Sequence, residues 1–378
     1  MEKAVSSMFR SLVAAPVLGL LLGLPVAPRQ SGQLASPQTA SPPAAPQQEE
    51  PTTRIVISHA EVIVPVTVTD DKGKFVSNLE AKDFRILDEN RPQKIDYFSH
   101  DSKQQAIVVG FLIDSSNASR IHWETYRDEI LELVFNLIPG DDPRFSGYLV
   151  TYANEAEVAV NTTHDSEKIA VAVRRMRPGG GAAFYDAIYL ACTNRSLVKG
   201  EPYEPRRVIV VVGDGHDSSS KKTLEEVLEL AKRNLVTIYA ISTQAFGFNN
   251  ETEDVLERLT RETGGHVEYP LNSLYKDVSG YISTPRDAGN YVYEPGTGGY
   301  AAEVAAGITK AIVGISGDIS TQYILRYVPD YGADVKPRVY RRIKVEIPDL
   351  PAGITIRARD GYYPDAIPTG GYVGDVVH

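Results

Sequence analysis

Three stretches of consecutive apolar residues constrain this chain more than anything else in it: AIVVGFLID at 106–114, RRVIVVVGDG at 206–215 and VTIYAIST at 236–243. A strand with one face in water alternates apolar and polar side chains, so a strand that is apolar throughout is covered on both faces. Around these runs the apolar residues fall at helical spacing, in WETYRDEILELVFNLIPG (123–140), SEKIAVAVRRM (166–176), AFYDAIYLACTNRSL (183–197), KTLEEVLELAKRN (222–234) and EDVLERLTRETGG (253–265). Helices alternating with fully buried strands make a parallel sheet covered on both sides. SGYLVTYANEAEVAV (146–160) reads as a hairpin, HVEYP (266–270) as a last short strand and AAEVAAGITKAIVGISGDIS (301–320) as a closing helix. The expectation is a doubly wound, mostly parallel α/β domain over 105–320.

On either side the pattern is β-type. RIVISHAEVIVPVTVTD, KGKFV, FRILDEN and QKIDYFSH lie within 54–104, separated by the turn signals DDKG and ENRP, and predict about five strands. TQYILRYVPD, RRIKVEIPDL and ITIRARDGYYP lie within 321–365, and 366–378 reads as a tail. DDKGK lacks the alternating Asp/Asn ligands and the distant Glu of a calcium loop, so it is a turn. Each flank alone is too small to close a core. Because the chain enters and leaves the α/β domain on one edge, the flanks are expected to form a single discontinuous β-sandwich.

The first residues, MEKAVSSMFRSLVAAPVLGLLLGLPVA (1–27), place Lys3 and Arg10 before an apolar run from Leu12 to Val26. That is the layout of a signal peptide, with an uncleaved membrane anchor as the alternative. Residues 28–53, built from Pro, Ala, Gln and Ser, are expected to be a disordered linker. An exported protein follows, periplasmic, held in the cell envelope or secreted, that touches a membrane only through its N-terminal anchor if uncleaved. Cys192 is the sole cysteine, so no internal disulfide forms, and its position on the apolar face of a helix reads as a buried small hydrophobe. A net charge of −10 and the lack of any Lys/Arg run exclude a nucleic-acid partner.

Ligands of open α/β sheets bind at the carboxyl ends of the strands. Three loops are expected there: DSSNAS (114–119), RPGGGAAFYDA (177–187) and GDGHDSSS (213–220). With these residues the chain is similar to a von Willebrand factor type A (VWA) domain, a Rossmann-like fold. More narrowly, it resembles the VWFA-related group common in acidobacterial genomes, which carries a β segment before the domain and a GYY-type β segment after it. The resemblance spans 54–364. It implies a metal-ion-dependent adhesion site (MIDAS) made of a D-x-S-x-S loop, a Thr in the Gly-rich loop and an Asp at the end of the fourth strand. Carried over, Asp114 and Ser116 match the first positions and Asp214 the last, whereas Ala118 stands where the second Ser belongs and Ala182 where the Thr belongs. The site is therefore a degenerate one, and Mg2+ is its candidate cofactor, held weakly and with more of its own water. Two carboxylates side by side without a cation repel, and Ser115, Ser119 and His216 are candidate compensating donors. The plainer reading of Asp114 and Asp214 is that they cap loops and helix ends. PGGGAAF lacks the GK[ST] ending of a phosphate loop.

A second feature belongs to the same face. SLYKDVSGYISTPRDAGNYVYEPGTGGY (273–300) holds Tyr275, Tyr281, Tyr291, Tyr293 and Tyr300 among glycines and prolines, and QAFGFNN adds Phe246 and Phe248. Stiff aromatic rings on adaptable loops are the composition of protein-binding surfaces. A loop whose tyrosines only cover nearby helices is the other reading. The seven histidines are scattered, and no G-x-S-x-G or H-E-x-x-H is present, so an enzyme is not expected. The functional expectation is a module that binds an unidentified protein partner through this loop face. The alternative is a structural envelope protein with no metal-dependent ligand binding.

Overall fold

The computed structural model describes residues 57–100, 106–194, 197, 205–244, 255–271, 298–330, 338–348, 353–364 and 369–372. In chain order the strands and helices are β1 (Ile57–Ala60), β2 (Val62–Thr69), β3 (Arg85–Asp88), β4 (Arg91–Gln93), β5 (Tyr97–Ser99), β6 (Ile107–Asp114), α1 (Trp123–Leu137), β7 (Phe145–Tyr152), β8 (Ala156–Thr163), α2 (Ser166–Arg175), α3 (Phe184–Thr193), β9 (Arg206–Gly213), α4 (Leu224–Arg233), β10 (Thr237–Ser242), α5 (Val255–Thr263), β11 (Val267–Glu268), α6 (Gly298–Thr321), β12 (Tyr323–Tyr327), β13 (Arg341–Glu346), β14 (Thr355–Ala358), β15 (Gly361–Tyr362) and β16 (Thr369–Tyr372). Among the described residues no helix is long and apolar enough to cross a membrane.

The central sheet runs β11-β10-β9-β6-β7-β8. Every residue of β6, β9 and β10 is buried, as their apolar runs require. All neighbours pair parallel except β7 and β8, which form the antiparallel hairpin at one edge. Alternate side chains of each strand feed two cores. One packs Val109, Phe111 and Ile113 against α1, α2 and α6; the other packs Val108, Leu112 and Val150 against α3, α4 and α5. The architecture is a mostly parallel, doubly wound α/β domain. Local chemistry sets the helix ends. Asp165 accepts the Glu167 N–H at the start of α2, and Thr223 and Glu226 form a reciprocal capping box on α4. Gly264, at φ 88°, and Gly265, where a β-carbon would lie 1.9 Å from the Ile238 carbonyl oxygen, close α5.

Two four-stranded sheets, β14-β2-β12-β5 and β15-β13-β3-β4, each mix strands from before and after the α/β domain. Antiparallel pairing of β2 with β12 and β14, and of β3 with β13, ties the two flanks together. Val62, Val64, Val66 and Val68 pack with Ile86, Tyr323, Leu325 and Tyr362 in their shared core, which makes the pair a discontinuous β-sandwich. In it Asp88 is fully enclosed; it accepts the hydroxyls of Tyr327 (3.0 Å) and Tyr362 (2.7 Å) and pairs with Arg341 (2.7 Å).

Some local expectations differ. KGKFV makes only an isolated bridge, Phe75 to Thr69, because Asp70 Oδ1 accepts the N–H groups of Lys72 and Lys74 and curls the segment into a loop. The ENRPQ turn itself contributes β4, and residues 369–372, within the expected tail, pair with β1. Between sheet and sandwich, Gln322 Nε2 donates to Tyr239 (2.9 Å) and Thr67 (3.1 Å), while Asp318 near the end of α6 pairs with Arg357 of β14 (2.8 Å).

Candidate functional site

At the carboxyl ends of β6, β7 and β9, three loops are sewn together by main-chain bonds. Gly179 N–H donates to the Ser115 carbonyl (2.7 Å), Asn117 N–H to Gly180 (3.1 Å), and Ser218 and Ser219 N–H to Ala182 (2.9 and 3.1 Å). Side chains lock the same contacts: Asn154 accepts the Gly181 N–H at 2.7 Å, Asp217 the Tyr185 N–H at 3.0 Å, and Asp186 the N–H groups of Lys221 and Lys222. The Gly-rich and serine-rich loops are thus parts of a single rim. A β-carbon on Gly181 would lie 2.3 Å from Ser219 Oγ, so only glycine lets that hydroxyl approach.

Asp114 ends β6 at 1% exposure, and Ser116 beside it is at 2%. Asp114 Oδ1 accepts the Ser116 N–H at 2.7 Å, and Ser116 Oγ accepts the Ala118 N–H at 3.2 Å. Asp214 follows β9, and its Oδ1 accepts the His216 N–H at 2.9 Å. One oxygen of each carboxylate therefore does cap its own loop. Asp114 Oδ2 is buried and has no hydrogen-bond partner among the described residues. Burial pushes the Asp114 carboxyl up from 3.8 to about 6; its bonds to Ser116 oppose this, Asp214 adds to it and His216 opposes it.

Of the donors expected to relieve Asp114, none reaches it. The Ser115 hydroxyl donates to the Tyr152 carbonyl (3.1 Å), the Ser119 hydroxyl to the Ser116 carbonyl (3.0 Å), and His216 offers its main-chain N–H to Asp214. Short hydroxyls next to carbonyls left over at strand ends satisfy those first. Ala118 and Ala182 contribute no side-chain oxygen, and among the described residues no group of three or more His, Cys, Asp or Glu gathers to hold a metal. The donor set at Asp114 is made only of carboxylate and hydroxyl oxygens, which suits a hard cation that keeps much of its water and does not suit a nitrogen- or sulfur-loving metal. A buried carboxylate oxygen left over is the observation that fits such a cation to this place.

Phe246, Phe248, Tyr275, Tyr281, Tyr291 and Tyr293 lie outside the described residues. Tyr300 belongs to the first turn of α6, which begins at Gly298, three residues before the expected helix start at Ala301. Sequence reasoning missed two neighbours of the site. One is the Ser218–Ser219 pair against the Gly-rich loop, for which the run DSSS was the available signal; the other is the Tyr152 hydroxyl, for which no local signal exists.

Residues 109–275 match the family model of the von Willebrand factor type A domain. Among solved structures, the chain is similar to the conserved hypothetical protein BatB from Bacteroides thetaiotaomicron at 20% identity, over 47% of this chain and 97% of that one, with a TM-score of 0.34. The SpRpn10 VWA domain matches at 21% identity, over 43% of this chain and 86% of that one, with a TM-score of 0.33. Proximal thread matrix protein 1 from the mussel byssus, with a zinc-occupied MIDAS motif, matches at 17% identity over 48% of this chain and 46% of that one, with a TM-score of 0.38. No curated protein sequence matches the chain. The α/β domain has the VWA fold, and domains of that family are generally binding or adhesion modules rather than enzymes.

Proposed function

We propose that this chain is an exported, non-catalytic binding module that recognises another protein through the loops at the carboxyl ends of its central sheet, with a weakly held hard cation at Asp114, Ser116 and Asp214. The observation that supports the cation is the buried, unpartnered Asp114 Oδ2 beside a second carboxylate, since a buried charged oxygen without a partner is costly. Magnesium at such a site would keep waters that a carboxylate on the partner can displace. Ala118 and Ala182 weaken the site, so most of the contact area is assigned to Phe246, Phe248, Tyr275, Tyr281, Tyr291, Tyr293 and Tyr300. Loops leaving parallel strands share one face, and aromatic anchors dominate interfaces. Export rests on the N-terminal segment with Lys3, Arg10 and the apolar run to Val26. The narrower kinship with the acidobacterial VWFA-related group rests on the β segments either side of the VWA domain.

The test is capture of partners from an envelope extract by the immobilised chain, with and without EDTA. Tyr291→Ala with Tyr293→Ala should abolish capture, while EDTA or Asp114→Ala should weaken it by a smaller factor. Capture that is indifferent to the tyrosines and to EDTA alike would favour a structural envelope protein instead.

A further inference from the structure

Tyr152 ends β7 directly beside the Asp114 loop. Its carbonyl receives two bonds from Ser115, one from the N–H (2.9 Å) and one from the hydroxyl (3.1 Å), and its ring packs on Phe184 with centroids 5.5 Å apart. The hydroxyl runs inward to the junction of β6 and β9. A β-carbon on Gly213 would lie 2.2 Å from Tyr152 Oη and 3.0 Å from Asp114 Cβ, so the absent side chain of Gly213 is what makes room for this oxygen next to Asp114. At 1% exposure Tyr152 Oη has no hydrogen-bond partner among the described residues, the same condition as Asp114 Oδ2. A phenol hydroxyl can donate one hydrogen bond and accept another.

A buried hydroxyl with no partner is destabilising, a loss that a phenylalanine ring in the same space would avoid. Two such orphans, a carboxylate needing a donor and a phenol needing both an acceptor and a donor, sit together under a rim that has lost two hydroxyls to alanine. We propose that Tyr152 is a positioning residue of the cation site, its hydroxyl accepting from a water of the bound ion and donating its one proton to a carboxylate there, in place of the side-chain oxygens absent at 118 and 182. This rests on the reading that a cation is held at Asp114.

The test uses the whole chain and Mg2+ or Mn2+ alone, titrated by calorimetry and by melting temperature. Tyr152→Phe should melt in EDTA at the wild-type temperature or slightly above it, because it removes an unpartnered group, and its affinity for the ion should fall about tenfold, equivalent to about 1.4 kcal/mol. A purely structural Tyr152 would give the opposite pattern, a lower melting temperature in EDTA with unchanged ion affinity, and that result overturns the proposal. If wild type binds the ion and Tyr152→Phe binds it equally well, the proposal fails while the cation reading stands. If wild type binds neither ion, both fail. Gly213→Ala checks the placement independently: it should lower the melting temperature, and adding Tyr152→Phe should recover part of the loss, since the β-carbon's next nearest ring atom is 3.4 Å away. No recovery would mean that the hydroxyl does not lie there.

Discussion

Asp114→Asn should stabilise the chain when no cation is present. The carboxylate is buried, its Oδ2 is unpartnered and its pKa is pushed from 3.8 to about 6; carrying it that far corresponds to a penalty of about 3 kcal/mol on the ionised form at neutral pH. The sign follows from linkage. A carboxyl whose folded value is raised contributes stability that is fully present below 3.8, where it is protonated folded and unfolded alike, and that is lost as pH rises through about 6. Asparagine keeps the oxygen that accepts the Ser116 N–H and never ionises. In EDTA the variant should therefore match wild type near pH 4 and pull ahead between pH 4 and 7. The advantage has a ceiling of about 3 kcal/mol, or roughly 6 °C at about 2 °C per kcal/mol for a chain of this size. Differential scanning calorimetry across that range is the assay. A variant that melts below wild type at pH 7 in EDTA, or a difference that does not change with pH, would refute the claim that Asp114 carries an uncompensated charge.

Restoring hydroxyls with Ala118→Ser and Ala182→Thr should tighten Mg2+ and make the melting temperature rise with millimolar Mg2+ more steeply than in wild type; identical curves would mean that the rim's geometry, not its missing oxygens, limits binding. Asp88→Ala should cost about 1–3 kcal/mol in urea unfolding, because it removes the buried acceptor shared by Tyr327, Tyr362 and the partly buried Arg341. His266 should make the junction pH-dependent. Burial pulls its imidazole down, but Asp318 (2.8 Å from Nδ1) and Glu268 (3.0 Å from Nε2) outweigh that and hold its pKa above 6.5, even with Arg357 opposing. Its contribution is present below 6.5 and lost as pH rises through the raised value, so wild type should lose melting temperature on the alkaline side more than His266→Gln does.

What could be read in advance was what the local pattern reports. The runs around Val109, Val210 and Ile238 are apolar because both faces of their strands are covered, and Thr223 with Glu226 announces a helix start within four residues. Pairing between distant segments has no such signature. Asp88 looks like a turn aspartate until Tyr327 and Tyr362 arrive from 239 and 274 residues away. KGKFV has strand composition, yet Asp70 takes its first N–H groups. At the site, the D-x-S pattern located Asp114 and Ser116, and the alanines at 118 and 182 were plain. The orphaned Asp114 Oδ2 and Tyr152 Oη were not, because both depend on how three adjacent strands end in register and on the side chain that Gly213 lacks.

Paramagnetic broadening by Mn2+, read on the amide resonances of the deuterated chain, tests the central claim most directly. The account predicts that substoichiometric Mn2+ broadens amides of residues 114–119, 179–183 and 213–217 first, that Mg2+ competes the effect away, and that Asp114→Ala abolishes it. Broadening spread over exposed acidic side chains elsewhere, or unchanged by Asp114→Ala, would contradict it.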